Sequence, residues 1–402
     1  MSSSRSARGD DEPLRVFLAA GERSGDLHGA GLAKALLRLC PGALLTGVGG
    51  DAMSAAGVRL VERYDPLAVV GLLEVVPRLP GILALLSRVR RRLRRDPPDL
   101  YVAVDAPDFN FRLMATARRQ GVPIVYFIVP QFWAWRRGRL RTLKRLVERA
   151  LVIFPFEEGL LRDAGIPADF VGHPLAEEID PPSDRADLRR SLGWDADRPL
   201  VALLPGSRTG EWDRHLPALR ETAAWVRSRR GDIQWGLSVA PGLDPAGLAK
   251  LEEEGLIPFK GPARDLLAAS DAALVASGTA TLEAALLETP LVAFYRLSFL
   301  THAAARLFVD VPFFAMVNVL AGEQVVPEFL QKAARGDAMG PALLSLVDGG
   351  QEAGAQRKGF RRVRTLLGSP GAYERAAREI LSLLDRSGST RELQRSPRGA
   401  SR

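Results

Sequence analysis

The sequence predicts an α/β protein built from two doubly wound, Rossmann-like parallel sheets. Short apolar runs alternate with segments of helical periodicity in both halves of the chain. With 402 residues, the chain is longer than one hydrophobic core usually supports. A break rich in proline and polar residues at 179–184 divides it near the middle. Two domains are therefore expected, each with its own sheet.

The predicted strands are short apolar runs bounded by turn residues. Between them, residues such as Leu216, Leu219 and Ala223 recur at helical spacing. Alternation of this kind is typical of parallel sheets with crossover helices. The predicted strands are 15–20, 44–48, 100–104, 124–129 and 151–154 in the first half, and 200–204, 234–239, 272–275 and 291–295 in the second.

The amino-acid composition limits the kinds of partner and the compartment that the protein can have. The formal net charge of +8 favours an anionic partner such as a phosphorylated substrate, an anionic lipid or a nucleic acid. The aromatic content of 7% and the lack of an RNA-recognition motif argue against nucleic acid. The single cysteine, Cys40, excludes an intramolecular disulfide and is typical of a reducing compartment. Residues 1–12 contain no apolar signal-peptide region, so we predict a cytoplasmic protein.

An apolar segment followed by an arginine cluster occupies residues 67–95. Charged residues and prolines, including Glu74 and Pro77, interrupt it too often for a transmembrane helix. A buried helix pair and a domain-packing surface both explain it. The functional alternative is an apolar surface with a basic flank that binds an anionic membrane. The residues expected to face the membrane are Leu72, Leu73, Leu83, Leu86, Arg88 and Arg91.

Polar residues in the first strand-to-helix turn indicate a ligand site. The turn contains Glu22, Ser24, Asp26 and His28 but lacks the G-x-G-x-x-G spacing of a dinucleotide fingerprint. These groups suit hydroxyl binding or proton transfer better than pyrophosphate. We therefore expect a nucleotide-type fold whose first turn does not hold the nucleotide.

Two carboxylates follow the predicted strand 100–104. Asp105 and Asp108 would lie at the carboxyl edge of the sheet, where a general base is commonly placed. The alternative is a solvated turn whose acidic residues cap a helix. Tryptophans in the stretch 131–137 follow the next strand, and tryptophans in such a stretch pack in a core more often than they stack on a ligand.

The second half contains two turns suited to phosphate. One ends in Arg208, and arginine binds phosphate in a bidentate manner. The other begins a helix, whose free N–H groups form an anion site. A surface turn and ordinary helix capping are the alternatives, although two such turns in one domain favour ligand binding. The helix-start candidates are Ser277, Gly278, Thr279, Thr281 and Glu283.

The histidines do not indicate a metal site. His28, His173, His215 and His302 are not spaced with other ligand residues as metal ligands usually are. No G-x-S-x-G, Walker A or kinase signature occurs either. We therefore predict no metal and no cofactor.

Taken together and in this order, these segments strongly resemble the lipid-A-disaccharide synthase family. The resemblance covers Arg15 to about Gln331, and the ensemble is specific even though its helix-start motif also occurs in other nucleotide-sugar enzymes. The matching segments are AGERSGDLHGAGL at 20–32, VDAPDFNFRL at 104–113, VPQFWAWRRGR at 129–139, FPFE at 154–157, VGHPL at 171–175, LLPGSRTGEW at 203–212, SGTATLEAALLETP at 277–290 and MVNVLAGEQVVPEFLQ at 316–331.

The resemblance implies a GT-B glycosyltransferase, in which two Rossmann-like domains face each other across a cleft. The acceptor domain would span 13–179, including the membrane-facing segment 67–95. The UDP-sugar donor domain would span 180–365. A helix at 366–385 would return to the first domain, and 1–12 and 386–402 would be disordered tails.

The resemblance also implies a reaction. The family joins UDP-2,3-diacylglucosamine to 2,3-diacylglucosamine 1-phosphate (lipid X), inverting the anomeric centre without a metal. Asp105 would then be the base, with Asp108 as second candidate. Arg208 and the helix start at 277–281 would hold the diphosphate. Glu283 would take the ribose hydroxyls, and Asn318 matches a polar family position on the donor side. Glu22, Ser24 and Asp26 would line the acceptor side.

Two other functions are left as alternatives. One is a different UDP-sugar enzyme of the GT-B fold, such as a UDP-N-acetylglucosamine epimerase, which would share the two phosphate turns. The other is a non-enzymatic basic protein that binds nucleic acid. If the chain is a synthase, we expect it to attach peripherally to the anionic cytoplasmic face of the inner membrane. A homodimer is compatible with this interpretation.

Overall fold

The computed structural model separates the chain into two compact units. The first contains Met1–Pro174 and Gly371–Arg402, and the second contains Leu175–Pro370. Each has one parallel sheet with helices between its strands, so the predicted α/β fold class is confirmed. The structure describes residues 12–64, 72–130, 138–240, 243, 248–297 and 312–393.

The first unit alternates strands and helices. Its strands are β1 (Arg15–Ala20), β2 (Leu44–Gly49), β3 (Arg59–Arg63), β4 (Leu100–Val104), β5 (Ile124–Phe127), β6 (Arg149–Val152) and β7 (Ala168–Phe170). Its helices are α1 (Arg23–Leu39), α2 (Asp51–Ala55), α3 (Leu72–Arg95), α4 (Pro107–Arg119), α5 (Gly138–Leu146), α6 (Pro155–Asp163) and, at the far end of the chain, α16 (Ala372–Leu393). The strand order is β3-β2-β1-β4-β5-β6-β7.

The second unit repeats this plan. Its strands are β8 (Leu200–Leu204), β9 (Gln234–Ser238), β10 (Ile257–Phe259), β11 (Ala272–Ala276), β12 (Leu291–Tyr295) and β13 (Glu328–Leu330). Its helices are α7 (Leu175–Glu178), α8 (Arg185–Ser191), α9 (Thr209–Arg227), α10 (Leu248–Glu253), α11 (Ala263–Ala269), α12 (Ala280–Leu286), α13 (Met316–Ala321), α14 (Gly336–Val347) and α15 (Gln351–Leu366). The strand order is β10-β9-β8-β11-β12-β13.

The order of the strands reverses beside the first strand of each sheet. Ala20 at the end of β1 pairs with Val104 at the end of β4, and Leu204 of β8 pairs with Val275 of β11. The central strands are buried along their length because helices cover both faces. At such a switch point the two adjacent loops leave the sheet in opposite directions and open a crevice for a ligand.

Helix α3 shows which side of the segment 67–95 faces the protein. Leu85, Leu86, Val89 and Leu93 are buried in the core of the first unit at helical spacing. The prediction that Leu86 faces a membrane is therefore wrong, because Leu86 belongs to this inward stripe. Leu83 lies on the other side of the helix and is 49% exposed.

The remaining membrane-facing candidates differ in their surroundings. Arg91 is exposed, whereas Arg88 donates through Nη2 to Glu62 Oε2 of β3 at 3.0 Å. Leu72 and Leu73 begin α3, and their side chains lie outside the described part of the chain. Among the helices that the structure describes, none combines the length and apolarity needed to cross a bilayer.

The last helix, α16, packs against α1 within the first unit. The Tyr373 hydroxyl lies 3.0 Å from His28 Nδ1, and Arg375 Nε donates to the Val171 carbonyl at 2.8 Å. A Cβ atom on Gly31 would lie 2.4 Å from the Tyr373 ring, so glycine makes room for this ring. The helix extends to Leu393, beyond its predicted end at residue 385. Residues 1–11 and 394–402 lie outside the described residues.

Candidate active site

The turn after β1 brings two predicted acceptor-side residues together. Glu22 precedes the first turn of α1 in an extended conformation, and Ser24 lies in that turn. The Ser24 hydroxyl donates to Glu22 Oε1 at 2.6 Å, and both residues are exposed. The Glu22 carboxylate is therefore held at the carboxyl edge of the sheet, beside the end of β4.

Asp26 does not belong to this exposed group. It is buried, and Oδ1 accepts from the N–H groups of Gly50 at 2.6 Å and Met53 at 3.1 Å. Oδ2 accepts from the Ala52 N–H at 3.1 Å. The carboxylate thus caps the start of α2. The prediction that Asp26 lines the acceptor side is wrong, because its hydrogen-bonding capacity is used inside the unit.

The turn after β4 holds Asp105 in an unusual backbone conformation. Asp105 and Ala106 both have φ of 46°, a left-handed conformation that costs non-glycine residues about 1–3 kcal/mol. The Asp105 carbonyl accepts from Asn110 Nδ2 at 2.7 Å and the Tyr126 hydroxyl at 2.9 Å. The Tyr101 hydroxyl donates to Asn110 Oδ1 at 2.8 Å. This buried network fixes the direction in which the Asp105 side chain leaves the turn.

Asp105 and Glu22 meet at the switch point of the first unit. Burial, followed by the negative charge of Glu22 and a hydrogen bond between the two side chains, raises the pKa of Asp105 to about 7. A hydrogen bond between two carboxyl groups requires a proton on one of them. A carboxylate with its pKa near neutral pH can accept a proton from a reacting hydroxyl, which is the property of a general base.

Asp108, the second candidate base, has a different environment. Its carboxylate forms an ion pair with Arg139, and its side chain is 74% exposed. The Arg139 guanidinium also lies over the Phe111 ring, 5.8 Å from the ring centroid. Asp108 lacks the burial that distinguishes Asp105. The geometry therefore favours Asp105 as the proton acceptor.

A cavity of about 420 Å³ lies at the switch point of the second unit, between the turns that follow β8 and β11. Its volume is in the range of small-molecule sites, about 300–1,000 Å³. The predicted donor-side residues Arg208 and Glu283 both line it. The full lining is 204–208, Glu211, 238–240, Gly261, Ala263, 276–280 and Glu283.

Arg208 is held in this cavity by Glu211. Arg208 Nη1 lies 3.2 Å from Glu211 Oε1, and the Tyr295 hydroxyl donates to the same oxygen at 2.9 Å. Gly206 has φ of 106°, and a Cβ there would lie 2.4 Å from Glu211 Oε2. Glycine is thus required both for the turn and for the space beneath it. About half of the Arg208 side chain remains exposed for a ligand.

His215 connects the two loops beside Arg208. It is completely buried, with Nδ1 2.7 Å from the Pro205 carbonyl and Nε2 3.1 Å from the Arg296 N–H. Burial lowers its pKa, so the neutral ring donates through Nδ1 and accepts through Nε2. Our sequence reasoning missed the roles of Glu211 and His215. Their spacing of four on one helix face, directly after a glycine turn, was the available signal.

At the helix start after β11, backbone N–H groups are available to a ligand more than side-chain hydroxyl groups are. The Ser277 hydroxyl donates to the Phe314 carbonyl at 2.8 Å, and the buried Thr281 hydroxyl donates to the Gly278 carbonyl at 2.9 Å. The prediction that these two side chains donate to a ligand is therefore wrong. Gly278 and Thr279 are exposed at the cavity, where the first N–H groups of a helix have no intrahelical partner.

Glu283 lies one turn further along α12. Burial raises its pKa, with the nearby Arg264 opposing the shift. Its side chain lines the cavity together with Thr279 and Ala280. When ionised, a carboxylate accepts hydrogen bonds from neutral hydroxyl groups, which suits a sugar ring.

Asn318 does not line this cavity. It is completely buried, and Nδ2 donates to the Val326 carbonyl at 2.9 Å and Glu328 Oε1 at 2.8 Å. Its Oδ1 accepts from the N–H groups of Val325 at 2.8 Å and Val326 at 2.9 Å. Glu328 in turn accepts from the Phe314 N–H at 3.1 Å. Direct donor binding by Asn318 is therefore a wrong prediction, because its amide holds the loop that contacts Ser277.

The remaining predictions concern a metal ion and residues that the structure does not describe. Within the described ranges, no group of three or more His, Cys, Asp or Glu residues is arranged to hold a metal ion. The expectation of a metal-free reaction stays a prediction. His302 and the tryptophans in 131–137 fall outside the described residues.

Comparison with known families gives a match over nearly the whole chain. The family described as lipid-A-disaccharide synthetase matches residues 16–380. A lipid-A-disaccharide synthase of Syntrophus aciditrophicus is 42% identical over 376 residues, covering 92% of this chain and 98% of that protein. The corresponding enzyme of Myxococcus xanthus is 41% identical over 375 residues, with the same coverage of each chain.

Solved structures with the same fold are much more distant in sequence. The glycosyltransferase of kitacinnamycin has a TM-score of 0.63 at 18% identity, covering 93% of this chain and 100% of that one. Anabaena HepE in complex with UDP-glucose has a TM-score of 0.56 at 14% identity, covering 92% of this chain and 100% of that one. At these identities the likeness establishes the fold, which is of the GT-B type.

Proposed function

This chain is a glycosyltransferase of the lipid-A-disaccharide synthase family, and we propose that it joins UDP-2,3-diacylglucosamine to 2,3-diacylglucosamine 1-phosphate. The products are a β-1′,6-linked disaccharide 1-phosphate and UDP. The observation that carries this proposal is the pairing of Asp105 with Glu22 at one switch point, together with an arginine-containing cavity at the other.

The proposed mechanism begins at Asp105. The ionised carboxylate takes the proton from the acceptor 6-hydroxyl while that oxygen attacks the anomeric carbon of the donor from the face opposite UDP. The bond from the anomeric carbon to the diphosphate oxygen breaks, and its electron pair leaves with UDP. The configuration therefore inverts. A base positioned in this way contributes about 10²–10⁴ in rate.

The second unit stabilises the leaving group in this proposal. Arg208, oriented by Glu211, faces the diphosphate, and the N–H groups at Gly278 and Thr279 donate to its oxygens. Glu283 accepts hydrogen bonds from the ribose hydroxyls. Fixed donors of this kind neutralise the negative charge that develops on the departing UDP, and the proposed mechanism uses no metal ion for this purpose.

A different UDP-sugar enzyme, such as an epimerase, is not favoured. The matching family and the relatives that are 41–42% identical are lipid-A-disaccharide synthases. An epimerase needs no second sugar, so the two functions differ in whether UDP release depends on an acceptor.

The decisive experiment is incubation with UDP-2,3-diacylglucosamine, with and without the monosaccharide 1-phosphate. We expect acceptor-dependent UDP release and a disaccharide 1-phosphate by mass spectrometry, and a β linkage by the anomeric proton coupling in NMR. Release of UDP without disaccharide would refute the synthase reaction, and an α linkage would refute inversion.

We further propose that α3 binds an anionic membrane, at the cytoplasmic face of the inner membrane where the acylated substrates would reside. Leu79 and Leu83 are 44% and 49% exposed on this helix, and Arg91 is exposed near them along the chain. Apolar side chains flanked by arginines are typical of reversible attachment, with about 1 kcal/mol per basic residue near an anionic surface.

A matched pair of variants tests the membrane proposal. Leu83→Ser should reduce sedimentation with phosphatidylglycerol vesicles and leave the urea unfolding midpoint unchanged. Leu86→Ser should instead lower the free energy of unfolding by about 2–5 kcal/mol, because Leu86 is a buried core residue. Unchanged vesicle binding by Leu83→Ser would remove this face of α3 from the membrane contact.

A further inference from the structure

Arg139 lies against the helix that follows the proposed base in the first unit. It is the second residue of α5, and its guanidinium contacts Asp108 and the Phe111 ring. Both contacts belong to the segment that directly follows Asp105. The proposed mechanism gives Arg139 no role, although it is a cation at the edge where the acceptor would bind.

Two aromatic rings separate Arg139 from the Asp105 turn. The guanidinium carbon lies 5.8 Å from the Phe111 ring centroid, and the Phe111 and Tyr126 rings pack edge-on with centroids 6.4 Å apart. The Tyr126 hydroxyl then donates to the Asp105 carbonyl at 2.9 Å. Arg139 is therefore fixed relative to the proposed base through packed side chains.

The two members of the Arg139–Asp108 pair differ in exposure. The arginine side chain is 27% exposed, whereas the aspartate side chain is 74% exposed. The arginine is thus held by the protein, and the aspartate is the partner that solvent reaches. An incoming anion can take the place of the exposed Asp108 carboxylate, because the same guanidinium N–H groups bind a phosphate oxygen as readily as a carboxylate oxygen.

Charge balance requires a cation at this edge. Glu22, Asp105 and Asp108 place three carboxyl groups around the turns after β1 and β4. A phosphorylated acceptor adds further negative charge, which is unfavourable beside carboxylates unless a cation faces it. The phosphate on carbon 1 and the reacting hydroxyl on carbon 6 lie at opposite ends of the hexose. A cation that binds the phosphate should therefore be separated from the base, and the Phe111 and Tyr126 rings separate Arg139 from the Asp105 turn.

We propose that Arg139 binds the phosphomonoester of the acceptor and makes the enzyme selective for a phosphorylated sugar, with Asp108 holding the guanidinium when no acceptor is bound. The inference rests on the proposed function, since it assigns the acceptor phosphate of that reaction. Arginine suits the role because its planar fork binds phosphate in a bidentate manner.

The test compares two acceptors that differ only in the phosphate: 2,3-diacylglucosamine 1-phosphate and 2,3-diacylglucosamine, both with short acyl chains. In the parent enzyme, kcat/KM should be higher for the phosphorylated sugar. Arg139→Ala should lower that value by about 10- to 100-fold and leave the other acceptor unchanged. If Arg139→Ala folds poorly, Arg139→Gln replaces it and should show the same selective loss of kcat/KM for the phosphorylated acceptor. Arg141→Ala, an exposed arginine on the same helix, is the matched control and should change neither.

Three results would overturn the proposal. Arg139→Ala could lower kcat/KM equally for both acceptors, which would indicate support of the Asp105 turn only. Arg139→Ala could instead leave kcat/KM unchanged for both acceptors. Arg23→Ala, at an exposed arginine in the β1 turn, could instead abolish the preference. If the parent forms no disaccharide, the proposed function fails. Calorimetry of the phosphorylated sugar with parent and Arg139→Ala protein then still decides whether Arg139 binds phosphate, and equal affinity would refute it.

Discussion

The two switch points have the same topology and opposite chemistry. In the first unit, the turns after β1 and β4 bring together the carboxyl groups of Glu22 and Asp105. In the second, the turns after β8 and β11 surround a cavity that contains Arg208 and a helix start. The fold provides the crevice in both cases, and the side chains at the strand ends decide whether it suits proton transfer or phosphate binding.

The backbones of the two sites are also stabilised differently. The second unit uses Gly206 at φ of 106°, a residue without a side chain to clash with Glu211. The first unit places two non-glycine residues, Asp105 and Ala106, at φ of 46° and holds them with Asn110 and Tyr126. A functional side chain in a left-handed turn requires such supporting bonds, whereas a turn that only makes room for a ligand does not.

The largest expected effect comes from removing the proposed base. Asp105→Asn should lower kcat at least about 100-fold because the acceptor hydroxyl loses its proton acceptor. Asp108→Asn is the matched control and should reduce kcat much less, since Asp108 is exposed and ion-paired. Steady-state kinetics would measure both. Turnover by Asp105→Asn close to that of the parent would assign the base elsewhere.

The next effect concerns the other switch point. Arg208→Ala should weaken UDP binding by about 10- to 100-fold, because a charge-assisted hydrogen bond to phosphate is lost. Calorimetry with UDP measures this directly, and Asp105→Asn should bind UDP as the parent does. Arg220→Ala is a control on α9, the helix that Arg208 precedes, about 18 Å further along its axis. Equal UDP affinity in Arg208→Ala would remove Arg208 from the donor site.

A smaller effect tests the support of the left-handed turn. Tyr126→Phe removes the hydroxyl that donates to the Asp105 carbonyl at 2.9 Å. Loss of one neutral hydrogen bond costs about 0.5–1.5 kcal/mol, so kcat should fall about 2- to 10-fold. UDP affinity should not change, because Tyr126 belongs to the first unit. A loss of UDP affinity equal to the loss of kcat would indicate general unfolding instead.

The last expected effect is on stability rather than on catalysis, and it depends on pH. The folded-state pKa of Asp105, about 7, lies above the ordinary aspartate value. Its contribution to stability is therefore fully present below about pH 4 and lost as pH rises through 7. Asp105→Asn should gain stability relative to the parent between pH 5 and pH 8 in urea unfolding. A difference that stays constant across this range would show that burial does not raise this pKa.

The central strands were predictable because their apolar runs are long and bounded by turns. β1, β4, β8 and β12 begin and end where the sequence predicts. The edge strands β3, β7, β10 and β13 were missed, since they are short and only partly buried and thus have no continuous apolar run. The apolar and basic segment that contains α3 could be identified in the sequence. The packing of α3 on the sheet decided which of its leucines face inward.

Two residues that the sequence assigned to ligand binding have structural roles instead. Asp26 and Asn318 resemble ligand-binding residues in sequence, yet both are saturated by backbone groups of other loops. Glu211 gave little signal because its partners, Arg208 and Tyr295, come together only when β8 and β12 enter one sheet. Hydrogen-bond saturation depends on such distant partners, so it cannot be obtained from local sequence.

By itself, the sequence determined the fold class, the two-domain organisation and the placement of acidic and basic residues after particular strands, because these follow from periodicity and from residue order. Only the tertiary structure decided that Glu22 lies beside Asp105 and helps to raise its pKa, while Asp26 caps a helix. A pKa depends on burial and on neighbouring charge, and both arise when turns separated by some eighty residues meet at one switch point.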